Sequence, residues 1–510
     1  MRIVLFSPYS CLSNIGVRIL SSVLKCNGHS VRTIFAPLWF EPEEPPAGRL
    51  YPEDMRDQLL PLLSEADLVG MTLMTDYYAG SRQVAGWIRN GISAPLVWGG
   101  VHPTLAPDEC LKHADYVIVG EAEDSLVELA EVLADRGDPS GIPAVHGHRG
   151  GSIFTNPVRP LRTDLDELPF PGYDCSDQYL FHDGRFKEMT DVLMQENLAI
   201  HRGSSNPAYK AGYQILTGRG CPHRCTYCIN HVLSALYPGQ RYLRWRSVGN
   251  IIEELEAAVA AMPYLDHVWI SDDSFFSRRE EDLREFSAEY KRRVGLPFFC
   301  LTSPTTLSEE KLDMLMDAGL FAVQMGVETM SANTARLYGR QFMSNDRVLR
   351  AMELLSRHRD RLGMPQYDLI YDNPFESRDD ELETLRMVSR IPRPYHLSLW
   401  NLRLYPGTAL FEMAEEKGIV PREGDLGERW FYLRPSKFSY TELLLRLFKE
   451  PRLPGWVLRL LISRPLPQLF SLRIFQPLGF FFSFLRRSHV WLHKAMTVAR
   501  FRVRKGQPAQ

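Results

Sequence analysis

Short apolar runs alternate with stretches of helical periodicity through most of the 510-residue chain. In the first part, apolar runs at 3–6, 31–35, 68–73, 96–98 and 116–119 predict strands, with helical patterns at 81–90 and 124–134. This interleaving predicts βαβ units and a parallel sheet, because parallel neighbours need a crossover long enough to hold a helix. Five such strands make a small doubly wound, flavodoxin-like α/β domain over residues 1–135, with ligands expected outside the carboxyl ends of its strands.

Residues 136–205 change character. The turn-rich stretch from Gly137 to Gly151 and the proline-punctuated one that follows predict a connector with little regular structure beyond a short hairpin. Alternation resumes near Tyr213, with strands expected at 214–217, 267–271, 298–302, 322–327, 366–371 and 396–404. Helical patterns at 250–262, 281–293, 308–318, 346–359 and 380–391 separate them. Asn250 with Glu253, and Ser377 with Asp380, resemble capping boxes at two of these helix starts. Six strand–helix alternations over 206–425 fit an incomplete (β/α)6 parallel barrel, whose functional groups belong at the C-terminal strand ends. The remainder, 426–510, is helical in pattern, basic and aromatic.

Composition and charge narrow the class. Hydrophobic content of 45% and charged content of 24% are ordinary for a globular chain. The net charge is −3, yet residues 441–510 alone carry +11, which leaves −14 for the first 440. The tail's leucine and phenylalanine density argues against a phosphate-tracking surface, so no nucleic-acid partner is expected. The segment 475–487, FQPLGFFFSFLRR, is too short to span a bilayer. It fits either a helical cap on the open barrel or an interfacial helix making peripheral membrane contact. The N-terminus lacks the pattern of a signal peptide, and the cysteines are sparse, so a reduced, cytoplasmic protein is expected.

Three of the eight cysteines crowd into GRGCPHRCTYCIN. Cys221, Cys225 and Cys228, spaced CxxxCxxC directly after a predicted strand, can hold three corners of a [4Fe-4S] cluster and leave one iron open. The alternative is a zinc site completed by His223 or His231, although no second cysteine knuckle follows.

With this triplet the chain resembles the radical S-adenosylmethionine (SAM) enzymes, in particular their cobalamin-dependent branch. WISDDSFF, QMGVETMS, YDNPFES and LRLYPGTAL are similar to that branch's later strand-end motifs, in the expected order. The resemblance implies SAM contacts from Tyr227, Asp272, Asp273 and Glu328. VWGGVHPTLAPDE and DYVIVGEAEDSL look like the cobalamin-binding domain that precedes many such barrels, which implies contacts from Ser13, Gly16, Thr72, Gly99, Gly100, Val101 and His102. The wider cobalamin-binding family has an Asp-x-His-x-x-Gly loop whose His ligates cobalt. Aligned on Gly16, this chain has Cys11 and Ser13 there, so the ligating His is absent.

The resemblance implies an enzyme using a [4Fe-4S] cluster, SAM and cobalamin, supplied by a low-potential electron donor. The leading expectation is a methyltransferase acting on an unactivated carbon of a small-molecule or lipid-like substrate, with two SAM used per methylation. The alternatives are cobalamin-dependent cyclisation or oxidation without methyl transfer, and a non-catalytic scaffold with degenerate cofactor domains.

Overall fold

The structure is a computed structural model that describes residues 1–38, 50–198, 210–421, 440–449, 453–463 and 465–470. The first five strands are β1 (Arg2–Ser7), β2 (Ser30–Phe35), β3 (Leu68–Thr72), β4 (Leu96–Gly99) and β5 (Tyr116–Ile118). They pair in parallel in the order β5-β4-β3-β1-β2, with β1 Phe6 opposite β2 Ile34 and β3 Met71. Five of the six residues of β1 are buried, as a strand covered by helices on both faces requires.

The connector is more regular than expected. Its β6 (Val145–Arg149) and β7 (Ser152–Phe154) form a hairpin beside β5, and β8 (Gln178–His182) and β9 (Arg185–Glu188) form a second beside β2. The result is one nine-stranded sheet whose two parallel edges are both covered. Arg18 clamps the connector to the first helix, Ile15–Cys26. Its guanidinium donates to the carbonyls of Leu12 (2.7 Å) and Gly172 (2.6 Å) and lies 4.0 Å from the centre of the Tyr173 ring.

The second sheet contains β10 (Gly212–Ile215), β13 (His267–Ile270), β14 (Phe298–Thr302), β15 (Leu320–Glu328), β16 (Gln366–Tyr371) and β17 (His396–Asn401), all parallel and in that order. The two-residue strands β11 (Gly218–Arg219) and β12 (Arg244–Trp245) pair across the mouth of the barrel. The helix Arg378–Val388 begins with the expected capping box of Ser377 and Asp380. The helix Val248–Ala261 does not use Asn250 as its cap. Ser247 accepts from the Asn250 N–H, and the Asn250 side chain accepts from Arg246 Nε at 2.6 Å instead.

The two domains meet through charge. Arg219 on β11 bonds Glu121 and Glu123, and Arg244 on β12 bonds Glu121, at the start of the helix Glu123–Ala134. Of the C-terminal region, the helices Tyr440–Phe448 and Gly455–Ile462 join the barrel core through Leu444, Phe448 and Leu458. Segment 475–487 lies outside the described residues, and no described helix is long and apolar enough to cross a membrane.

Candidate active site

The cysteine loop leaves β11 at the C-terminal end of the barrel. The Thr226 N–H donates to the Tyr338 carbonyl (3.1 Å), and Thr226 Oγ1 to the Leu337 carbonyl (2.7 Å). Leu410 N–H donates to the Thr226 carbonyl, so the loop is held from two sides. Cys225 is buried and Cys221 and Cys228 are half-buried, none in a disulfide. Burial pushes the Cys221 thiol up to about 11 and the Cys228 thiol to about 12, so they ionise at neutral pH only when a cation takes the sulfur. Arg340 supplies one positive group: its Nη1 lies 3.6 Å from Cys225 Sγ and 3.3 Å from the Tyr227 hydroxyl, and Nη2 donates to the Gly326 carbonyl at 2.8 Å. His223 is turned away onto Ser303 Oγ (3.4 Å) and the Phe342 ring. Among the described residues, no three His, Cys, Asp or Glu side chains converge on a single metal ion. Three thiols on one loop are the donor set of an iron–sulfur cluster rather than of one four-coordinate ion.

Two cavities flank this loop. The larger, about 420 Å³, lies between the domains. Gly16, Thr72, Gly99, Gly100 and Val101 line it from the N-terminal domain, and Gly218, Arg219, Asn230 and Asp273 from the barrel. Its floor is apolar, made by Leu5, Val17, Val97 and Leu126. A Cβ on Gly99 would meet nothing within 4 Å, so the backbone is open to a ligand there. Gly100 has φ of 101° and a Cβ position 3.0 Å from the Leu73 carbonyl, so only glycine makes this turn without strain. Gly120, tied to the Gly100 turn through Thr104, abuts the Tyr237 hydroxyl of the barrel. Tyr237 accepts from Glu121 N–H, and its ring stacks on Tyr242 at 6.4 Å.

Two residues assigned to cobalamin from sequence fall outside this cavity. His102 is fully buried, with Nδ1 3.1 Å from Thr75 Oγ1 and its ring 4.6 Å from that of Tyr78. Ser13 is buried beside Tyr173 of the connector. Among the described residues, no histidine lines the cavity.

The four residues assigned to SAM divide. Tyr227 and Glu328 line the smaller cavity, about 300 Å³, together with Ile370, Leu402, Arg403 and Asp76. Glu328 ends β15 at a register shift with φ of 67°, a left-handed conformation that a non-glycine residue adopts at a cost. Burial raises its carboxyl to about 7, against the pull of Arg340 and with a further push from Asp368. Asp273 faces the larger cavity instead, where its Oδ2 accepts from Asn230 Nδ2 at 3.0 Å and Asn230 Oδ1 accepts from the Tyr242 hydroxyl at 3.2 Å.

Asp272 lines neither cavity. It is buried, accepts from the Thr217 N–H (2.6 Å) and hydroxyl, and thereby ties the end of β13 to the end of β10. Arg278 completes this lock by donating to the Thr217 carbonyl and packing over Trp245. Burial raises Asp272 to about 6, and the Arg278 charge opposes that rise.

Comparison with known proteins agrees with this layout. Residues 1–130 match the B12 binding domain model, and residues 215–388 match that of the radical SAM superfamily. The chain belongs to the radical SAM enzymes with a B12-binding domain. It is 24% identical over 366 residues to an uncharacterised methyltransferase of Pyrococcus horikoshii, covering 70% of this chain and 71% of that one. It is 20% identical over 377 residues to bacteriochlorophyllide d C-8(2)-methyltransferase of Chlorobaculum tepidum, covering 70% of each. The radical SAM methyltransferase TsrM of Kitasatospora setae, solved with cobalamin and a [4Fe-4S] cluster, superposes with a TM-score of 0.59 at 18% identity. That match covers 86% of this chain and 77% of the other.

The cofactors of this radical SAM enzyme are therefore a [4Fe-4S] cluster, SAM and cobalamin. Cys221, Cys225 and Cys228 have the chemistry to hold the cluster. Tyr227 and Glu328 line the smaller cavity, which could hold SAM, and the strand ends at Thr72, Gly99 and Gly100 line the larger one, which could hold cobalamin. Arg340 and Asn230 were not singled out from sequence. Nothing local marks either, since each acts only through the approach of residues distant in the chain.

Proposed function

We propose that this enzyme transfers a methyl group to an unactivated carbon of a small, largely apolar biosynthetic substrate bound between its two domains. One observation carries the reading. The larger cavity is bounded on one side by the strand ends of the B12-binding domain and on the other by Asn230 and Asp273, beside the cluster loop. When bound, the three cofactors would supply a one-electron reductant, a hydrogen-abstracting radical and a methyl carrier. The chain's own task is to position and to exclude water. The apolar floor and the stacked Tyr237 and Tyr242 remove solvent from the space where a radical would otherwise be quenched. Glu121 and Glu123 also line this space but are paired with Arg219, whereas Asp273, held by Asn230, can accept a hydrogen bond or a proton from a polar group of the substrate. The Glu121–Arg219 and Glu123–Arg219 pairs hold the domains at the rim of the cavity. The name of the Chlorobaculum relative, a methyltransferase of a bacteriochlorophyllide, supports a small-molecule substrate here.

The test is to incubate anaerobically reconstituted protein with SAM and reductant, with and without cobalamin. The reading expects 5′-deoxyadenosine in both, and S-adenosylhomocysteine with cobalamin alone. Cleavage of SAM without S-adenosylhomocysteine in the cobalamin-loaded protein would remove methyl transfer and leave the cyclisation or oxidation alternative.

A further inference from the structure

The helix Gly455–Ile462 has two faces that are both largely apolar. Its inward residues Leu458 and Ile462 are buried in the barrel core. The helix and the short turn after it are anchored there. The Tyr440 hydroxyl donates to the Leu461 carbonyl at 2.9 Å, the Tyr440 ring stacks on Phe470 at 4.9 Å, and Arg378 donates to the Pro467 carbonyl. The outward stripe, spaced i, i+3, i+4 and i+7, is Trp456, Arg459, Leu460 and Ser463. The outward face of such a helix is ordinarily polar. Here Trp456 is 64% exposed and Leu460 57%, and Leu469, on the short helix that follows, is 44% exposed. Single exposed apolar side chains are common, whereas an indole and a leucine one turn apart beside an arginine make an apolar face with a cationic rim.

Charge decides what can cover this face. Residues 451–510 hold eleven Lys and Arg and no Asp or Glu, which leaves −14 for the first 450. Acids on the neighbouring helices are engaged: Glu442 pairs with Arg446 at 2.8 Å, and Glu381 accepts from the Thr441 hydroxyl. The partner must therefore be anionic and must take up a tryptophan and a leucine. A bilayer with acidic headgroups does both, because indole rings favour its boundary and basic residues are drawn to its surface. A second copy of the chain would set one basic end against another, and like charges oppose that pairing. The acidic body is repelled by the same surface, so the field turns the basic end toward it.

We propose that the outward stripe of the helix Gly455–Ile462, together with Leu469, docks the enzyme on the surface of an anionic lipid bilayer. Trp456 and Leu460 enter the boundary between headgroups and acyl chains, and Arg459 meets the acidic headgroups. The helix lies in the plane of the interface, since no described helix is long and apolar enough to cross a membrane. Docking needs neither cofactor nor turnover, so its failure leaves the methyl-transfer reading untouched, and the failure of that reading leaves docking untouched.

The experiment uses the full chain and co-sedimentation with vesicles of phosphatidylcholine alone or of an equimolar mixture with phosphatidylglycerol. The parent is expected to bind the mixed vesicles, and to bind them more weakly as salt rises from about 0.1 M to about 1 M and the screening length falls from about 10 Å to about 3 Å. Trp456→Ser with Leu460→Ser should weaken that binding by about tenfold or more at unchanged Tm, since both side chains face outward. Arg459→Gln should lose about fivefold on the mixed vesicles and nothing on phosphatidylcholine. The indole also reports its own depth. Brominated acyl chains should quench part of the parent's tryptophan emission, and Trp456→Phe should lose that quenching while still binding. Equal binding by the parent and the doubly substituted protein would overturn the proposal and assign the attraction to the rest of the basic end. A parent that ignores the mixed vesicles would overturn it as well. So would a parent dimer that the same double substitution dissociates, which would give the face to a second copy. If the double substitution lowers Tm, the quenching comparison with Trp456→Phe decides, and equal quenching in the two proteins would contradict the docking of this face.

Discussion

The two cavities beside the cysteine loop are built from different materials. The larger one is walled mostly by strand ends, glycine backbone and an apolar floor, with Glu121, Glu123, Arg219, Asp273 and two tyrosines among its lining, and residues from both domains line it. The smaller one is edged by side chains that carry charge or a ring, among them Glu328, Arg403, Asp76 and Tyr227. Backbone and apolar surface suit a large, flat cofactor held by shape, whereas buried carboxylates and aromatic edges suit a polar nucleoside held by specific bonds. The cysteine loop stands between them, with Tyr227 on one side and Asn230 on the other. Substitutions should therefore separate into those that empty one cavity and leave the other loaded.

The largest effect is expected where both cavities depend on one residue. Cys225→Ala should abolish 5′-deoxyadenosine formation, read by chromatography after anaerobic reconstitution; retained cleavage would sink the cluster assignment. Next come the neighbouring aspartates. Asp272→Ala leaves Thr217 and Arg278 without their buried partner and should cost about 2–4 kcal/mol of stability, read as a lower Tm. Asp273→Ala should change Tm little and impair turnover, so equal Tm losses would contradict the division between them.

Gly99→Leu places a side chain in the larger cavity with nothing nearby to clash against. It should lower cobalt uptake by about tenfold or more, the scale of an overpacked site, while iron stays unchanged. A parallel loss of iron would mean that the two cavities are not separable. The smallest effect concerns pH. Because the Glu328 carboxyl titrates near 7, its charged, acceptor form is gained as pH rises from 6 to 8 and lost as it falls. SAM binding, measured by calorimetry, should tighten a few-fold over that rise, and Glu328→Gln should flatten the dependence. An unchanged slope in the variant would assign the titration to another group.

Much of this arrangement was legible in the sequence, in the places where the signal is local. The cysteine spacing sits within eight residues, and strands such as β14 and β16 have the bounds that their apolar runs predict. Other signals were present and under-read. The Asp183–Gly184 pair, with φ of 53° and 77°, is the turn of the β8–β9 hairpin, and apolar residues flank it. An Asp-Gly turn between such residues predicts a hairpin at this position, where the connector was expected to hold one short hairpin and holds two. The remaining misplacements have a common cause. His102 follows a glycine pair and has the look of a loop ligand, but the chain turns at Gly100 into a short helix and carries the ring under Tyr78. Asp272 and Asp273 are neighbours in a strand-end motif, and which one faces the ligand depends on Thr217, 55 residues earlier.

The central claim is that one chain holds an iron–sulfur cluster and a cobalamin at a shared cavity with no histidine among its described lining residues. It is tested most directly by the iron and cobalt content per chain after anaerobic purification with cobalamin supplied. The account predicts about four iron and one cobalt, with the Gly99→Leu protein losing the cobalt alone. Iron without cobalt in the unaltered protein would contradict it, and methyl transfer through cobalamin would fall with it.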